Sequence, residues 1–433
     1  MRAEVCEQIA ERQDDMIDLL RELVAARSVS GRETPGQAVV LDRLADRDLE
    51  IDTWQPSAAD LADHPGYFET VTYEEYGYEG RENVVATREG SDPEGGRSLA
   101  FSGHIDVVNP EPLESWSTDP WEATIDDGRL YGRGALDMKG GIAAFIHAYE
   151  VLDDLGIELA GDLLLQTTIE EEAGGIGGVL SVLERGYRPD AAIICEPFGI
   201  PNVGIAGAGV SYFRITVPGK AAHTARKYAG ENAIGHAARI YQALENLDER
   251  RRERISYQPA VNQDPRAKGS ETNLSISVAE AGDWVSKVPG EAVLTGRVGW
   301  PPGETSEQVR GEIIDAVNGV VENDEWLSEH PPEIEWFGWD AEPHEVDTDE
   351  PIVQLATEHA EAVTGGETSY VGGLGGVDER FYQLYYDTPA ISLGPRGAGG
   401  HAADEYVEID SLVETAQTLA LTAMDWCGVE SAP

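Results

Sequence analysis

The sequence predicts an α/β fold, a largely parallel sheet flanked by helices, with an α+β domain inserted into it. Three observations point there. Short apolar runs alternate with helix-patterned segments up to about residue 207 and again after about residue 340. Between those points the strands change to an alternating, half-buried pattern. And 433 residues are more than one core usually holds. Continuous apolar strands are buried on both faces, which is the habit of parallel sheets covered by helices.

The elements follow in order. Residues 3–27 read as one amphipathic helix, with Ile9, Met16, Ile17, Leu20, Leu23 and Val24 at helical spacing. ENVVATREG and RSLAFSGHIDVV read as strands, and the polar, Tyr- and Glu-rich segment 63–82 before them as a long loop. KGGIAAFIHAYEVLDDLG is a mostly apolar helix ended by Gly156. GDLLLQTTIE is a strand, GIGGVLSVLERG a helix and DAAIICEP a strand. Then VSYFRITVPG alternates, ENAIGHAARIYQALENLDERRRE is helical, and ETNLSISVAEAG and EAVLTGRVGW are strands. SEQVRGEIIDAVNGVVEN is a second helix and EIEWFG a fourth strand, which completes a ferredoxin-like unit. The first domain resumes with a helix in IVQLATEHAEAVTG, a strand in PAISLGP and a final helix in SLVETAQTLALTAMDWCG. The expected division is 1–207 with 340–433 as one domain and 208–339 as the insert.

Composition narrows the function. Net charge is −50, from 81 acidic against 31 basic residues spread along the chain. Such a surface repels phosphate, so nucleic acid and anionic membranes are not expected partners. It suits a protein kept soluble in strong salt, as in a halophile. No apolar run approaches a membrane span, and the first residues are too polar for a signal peptide, so the cytoplasm is the expected location. Cys6, Cys195 and Cys427 form no disulfide framework and no CxxC site.

In open α/β sheets ligands bind at the carboxyl ends of the strands. Polar residues that follow apolar strands collect there. They are His104 and Asp106 in SGHIDVV, Asp137 in GRGALDMKGG, Glu170, Glu171 and Glu172 after DLLLQTTI, Glu196 after AAIIC, and His401 in GGHAADEY. Two imidazoles and several carboxylates at one sheet edge repel themselves unless a cation sits among them. Imidazole with carboxylate suits zinc, cobalt or manganese, and a carboxylate can bridge two ions.

With those motifs in that order, the chain resembles the co-catalytic metallohydrolases that include acetylornithine deacetylase, succinyl-diaminopimelate desuccinylase, aminoacylase and the glutamate carboxypeptidases. The resemblance runs nearly end to end and includes GKAAH…GENAI in the insert. It implies a metal-dependent hydrolase of linear amide bonds with two ions, zinc or cobalt, with manganese the alternative. His104 and Glu196 match the ligands of one ion, Glu172 and His401 those of the other, and Asp137 the bridging aspartate followed by a cis peptide. Asp106 matches the residue that orients the His104 ring, and Glu171 the general base. The insert matches a lid through which the family forms homodimers. There His223 matches a histidine that stabilises the oxyanion in the partner's site, and Arg297 an arginine that receives a substrate carboxylate. Lys227, Ser286 and the stretch 377–380 depart from the family's pattern, and they concern substrate contacts rather than metal ligands. The implied activity is removal of an N-acyl group from a small amino acid or amine, acetylornithine foremost. The segment 51–85 is also similar to relatives that deformylate an aminopyrimidine. Dipeptidase or carboxypeptidase action follows, and a non-catalytic binding protein on the same scaffold would have lost a ligand or the base.

Overall fold

The main sheet of the computed structural model, which describes residues 1–92 and 95–429, has nine strands, the short pieces His344–Glu345 and Tyr370–Gly372 among them. In chain order its first six strands are β1 (Glu50–Trp54), β2 (Asn83–Arg88), β3 (Leu99–His104), β4 (Leu163–Thr168), β5 (Ala191–Ile194) and β6 (Val203–Gly207). The inserted unit supplies β7 (Gly209–Pro218), β8 (Asn273–Ala281), β9 (Glu291–Trp300) and β10 (Glu333–Ala341). β11 (Ala390–Ser392) returns to the main sheet. Two units result, one of Met1–Ala206, Glu345–Val371 and Val377–Pro433, the other of Gly207–His344 and Gly372–Gly376.

In the first unit the strands lie side by side in the order β1, β2, β4, β3, β5, β11, β6. The inner four, β4, β3, β5 and β11, are parallel to one another. β2 runs antiparallel to β4, and β6 antiparallel to β11. Every residue of β3, β4, β5 and β11 is buried, which explains their unbroken apolar character. Helix Lys139–Asp154 packs on β3 and β4, and helix Ile409–Trp426 packs against that helix and against Pro351–Thr364. Gly141 is what lets the first of these approach β5, because a Cβ there would lie 2.1 Å from the Cys195 carbonyl oxygen.

The second unit is a four-stranded antiparallel sheet in the order β8, β9, β7, β10. Alternate residues of β7, Phe213, Ile215 and Val217, meet Ile240 and Leu244 of helix Ala233–Arg254 and Ile313 and Val317 of helix Ser306–Val321 in one core. Strand, helix, two strands, helix, strand is the order expected for this unit.

Several elements differ from expectation. The first helix is two, Arg2–Glu11 and Gln13–Ala25, broken at Arg12, whose guanidinium reaches Asp154 at 2.8 Å. Segment 63–82 is not wholly loop, since Val71–Tyr76 is helical and capped by the Thr70 hydroxyl. The stretch 175–186 opens as a five-residue π-helix, Ile176–Leu180, entered through Gly174 and Gly175 at positive φ. Helix Thr34–Leu44, strand β1 and helix Glu379–Tyr386 have no counterpart in the sequence reading. Among the described residues no helix is long and apolar enough to cross a membrane.

Candidate metal centre

Parallel strands place their carboxyl ends on one edge, and the candidate residues leave from there. His104 is the last residue of β3, the three glutamates follow β4, Glu196 follows β5 and His401 follows β11. Asp137 sits in the turn before helix Lys139–Asp154, and the Asp137–Met138 peptide is cis.

The side chains converge in two sets that share Asp137. Its Oδ1 lies 3.2 Å from His104 Nε2, and that nitrogen is 3.6 Å from Glu196 Oε1. Its Oδ2 lies 3.3 Å from His401 Nε2, which is 2.9 Å from Glu172 Oε2. Ligand-type atoms of His104, Glu171 and Glu196 lie within 4.8 Å of one another, as do those of His104, Asp137 and Glu172. His104, Glu171 and Glu196 are buried, whereas the His401 side chain is 55% exposed.

Asp106 orients the His104 ring through its main chain. The ring Nδ1 is 2.8 Å from the Asp106 carbonyl oxygen, and the carboxylate is farther away at 3.7 Å. With Nδ1–H on a carbonyl, a neutral His104 ring presents its Nε2 lone pair to the cluster. The Asp106 carboxylate is occupied elsewhere, accepting from the amides of Glu171 (3.2 Å) and Glu172 (3.4 Å) and from the Ser30 hydroxyl (2.9 Å).

Electrostatics shows what the cluster lacks. Burial pushes the Glu171 carboxyl well up, and the charges of Asp378, Glu196 and Glu172 add to it. Burial and the Asp137 charge do the same to Glu196 and Glu172. Burial alone would lower the His104 imidazole, but its hydrogen bond to Asp137 and the surrounding carboxylates hold it well above its ordinary value. Hydrogen bonds to Asp137 and Glu172 push His401 up to about 10. Carboxyls that resist ionising and imidazoles that hold protons express one demand, for positive charge between them. Divalent cations meet it with the same donors, and imidazole with carboxylate is the ligand set of zinc, cobalt and manganese.

Two candidates lie in the second unit. His223 is exposed on a two-residue strand, with its Nδ1 accepting from the Ala225 amide at 3.0 Å. Arg297, on β9, donates to Asn273 and to the Leu374 carbonyl, and has no carboxylate partner among the described residues.

Sequence reasoning missed Glu405. Its buried carboxylate accepts from the amides of Gly134 (3.1 Å), Leu136 (2.9 Å) and Asp137 (3.1 Å), and pairs with buried Arg133 at 2.5 Å. Arg133 also donates to the Ala402 carbonyl at 3.0 Å. The pair thus ties the loop that presents Asp137 to the segment that presents His401. Glu405 stands inside GGHAADEY, so its position was visible while its partners were not.

Comparison with known proteins identifies the family. Residues 100–425 match the model of peptidase family M20/M25/M40. A curated relative from Halalkalibacterium halodurans, named N-formyl-4-amino-5-aminomethyl-2-methylpyrimidine deformylase, is 28% identical over 88% of this chain and 92% of its own. A relative of the same name from Bacillus subtilis is 27% identical over 97% of this chain and 96% of its own. Among solved structures, the Bacillus subtilis YXEP protein, described as a dinuclear metal binding peptidase from the M20 family, superposes with a TM-score of 0.63 at 18% identity, over 96% of this chain and 98% of that one. The chain belongs to peptidase family M20/M25/M40 and is, as the motifs at its strand ends imply, a hydrolase of amide bonds.

Proposed function

We propose that this chain removes a short N-acyl group from a small amino acid or amine. The observation that supports the reading is the division of Asp137, one carboxylate oxygen toward His104 and Glu196, the other toward His401 and Glu172. In this reading His104 and Glu196 hold one ion, Glu172 and His401 the other, and Asp137 both, with zinc or cobalt preferred and manganese the alternative. Two such ions, when bound, supply Lewis-acid activation of the amide carbonyl and of water. The chain's own groups do the rest. Glu171 takes a proton from the attacking water and returns it to the departing amine nitrogen, and its burial among carboxylates, which raises its pKa, suits it to holding that proton in between. The Asp106 carbonyl keeps the His104 ring in the tautomer that presents Nε2.

Two substrate readings remain, each with its own support. An N-acyl amino acid, acetylornithine foremost, fits Arg297, a part-buried guanidinium with no carboxylate partner among the described residues. An N-formyl aminopyrimidine is favoured by the name that both curated relatives carry over nearly their whole length. Hydrolysis measured over N-acetyl, N-succinyl and N-formyl substrates, with zinc, cobalt or manganese added back, separates them. The first predicts turnover of substrates bearing a free carboxylate, the second of the formylated pyrimidine. Failure to hydrolyse any of the three classes would overturn the proposal.

We also propose that the inserted unit forms a homodimer and that His223 stabilises the developing oxyanion in the partner subunit's site. A preorganised donor of that kind is worth about 3 kcal/mol in the transition state, so His223→Ala should lower kcat by about 10²-fold. Mixing it with Glu171→Gln under conditions of subunit exchange should return part of the activity, because one site of the mixed dimer has both groups. Mixed dimers that form and stay inactive would show that His223 does not act in trans.

A further inference from the structure

Glu170 directly precedes the proposed base and holds a left-handed backbone at φ 69°, uncommon for a residue with a side chain. Its carboxylate is fully buried and fully used. Oε1 accepts from the Thr70 hydroxyl at 2.6 Å, and Oε2 accepts from the Tyr78 hydroxyl and the Gly177 amide, both at 2.8 Å. Gly177 is needed there, since a Cβ would lie 2.4 Å from the Tyr78 ring and 2.7 Å from Glu170 Oε2. Arg81 approaches Glu170 Oε1 at 3.6 Å and spends its better hydrogen bonds on Glu33, at 2.8 and 2.7 Å. Glu33 accepts from the Gly31 amide, and the neighbouring Ser30 hydroxyl donates to Asp106, whose carboxylate takes the amides of Glu171 and Glu172. A polar circuit therefore closes around the glutamates, gripping the chain by the Glu170 side chain on one side and by two amides on the other. Glu33, Thr70, Tyr78 and Arg81 are not among the proposed ligands.

We propose that Glu170, held by Thr70, Tyr78 and Gly177, is a positioning residue for Glu171, and that hydrogen bonding rather than charge does the holding. This rests on the assignment of Glu171 as the base. Glutamine at 170 can keep the arrangement. Its carbonyl serves the Gly177 amide and the Tyr78 hydroxyl, and its amide meets Thr70, whose hydroxyl can accept as well as donate. Arg81 keeps Glu33. Alanine leaves the Gly177 amide and both hydroxyls without that acceptor and frees the turn that aims Glu171.

The test compares Glu170→Ala, Glu170→Gln and Tyr78→Phe, with kcat, KM and bound ions per chain measured for each, and Glu171→Gln measured alongside. Misplacing a reacting group by about 1 Å can cost about 10²-fold, and that fall in kcat is expected for Glu170→Ala. KM and ion content should hold, and Glu170→Gln should lie within about threefold of wild type. Tyr78→Phe removes one donor to Glu170 and alters no proposed ligand, and should lower kcat roughly 2- to 10-fold, which keeps the test open should the alanine variant fail to fold. Ion content falling in step with kcat would overturn the proposal, because the clamp would then be holding Glu172. So would wild-type kcat in both Glu170→Ala and Tyr78→Phe while Glu171→Gln is inactive. An active Glu171→Gln would instead remove the base assignment on which the proposal stands.

Discussion

Glu171→Gln is expected to keep both ions and lose about 10²–10⁴ in kcat, the usual worth of a general base. The substitution preserves shape and removes only the group that exchanges a proton. The two oxygens of Asp137 and their imidazole neighbours are unaltered, so the ligand atoms stay where they are. Glu172→Ala should behave differently. Glu172 Oε2 lies 2.9 Å from His401 Nε2 on the other side of Asp137, and its removal should cost one ion. Elemental analysis alongside steady-state kinetics separates the two. Near-wild-type turnover in a fully loaded Glu171→Gln, or two tightly held ions in Glu172→Ala, would mean that the adjacent glutamates have been assigned in the wrong register.

Glu405→Ala should be the most destabilising of the changes considered. It leaves the Arg133 guanidinium buried without its carboxylate, and the amides of Gly134, Leu136 and Asp137 without their acceptor. Breaking a buried pair from one side costs about 3–5 kcal/mol, because the remaining charge is uncompensated. The urea midpoint should fall accordingly. Affinity for both ions should weaken together, since Asp137 faces both sets of ligands and shares the loop. Glu405→Gln should recover part of the stability, because its carbonyl still accepts from an amide. Urea unfolding and titration with zinc check both statements, and an unchanged midpoint in Glu405→Ala would show that the loop holds without the carboxylate.

The legible parts were those with strong local patterns. β3, β4 and β5 are continuous apolar runs, and the residues just beyond such runs were singled out because sheet edges bind ligands. What stayed hidden lacked that signal. Thr34–Leu44 begins with Thr-Pro-Gly, which reads as a turn, although proline suits the first turn of a helix. Glu379–Tyr386, ERFYQLYY, is rich in aromatic residues that carry no helical preference. Segment 63–82 is polar in composition, yet it buries Thr70, Tyr78 and Arg81 through hydrogen bonds, and no hydrophobic period announces a buried polar network. Asp106 shows a finer limit. The residue is legible, but the choice between its carbonyl and its carboxylate depends on the turn after β3.

The last strand of the main sheet in chain order, β11, is not an edge strand but an inner one, lying between β5 and β6. Glu196 and His401 are 401 − 196 = 205 positions apart, about 10–40 s of synthesis at about 5–20 residues per second. Through that interval β5 has β3 on one side and an open flank on the other, and an unpaired flank invites foreign strands. The four carboxylates Asp137, Glu171, Glu172 and Glu196 wait meanwhile with His104 alone. The inserted unit, with its strands complete by Ala341, can settle within the pause. Closing the sheet and bringing His401 to the carboxylates then both wait for the short segment from Ala390 to His401.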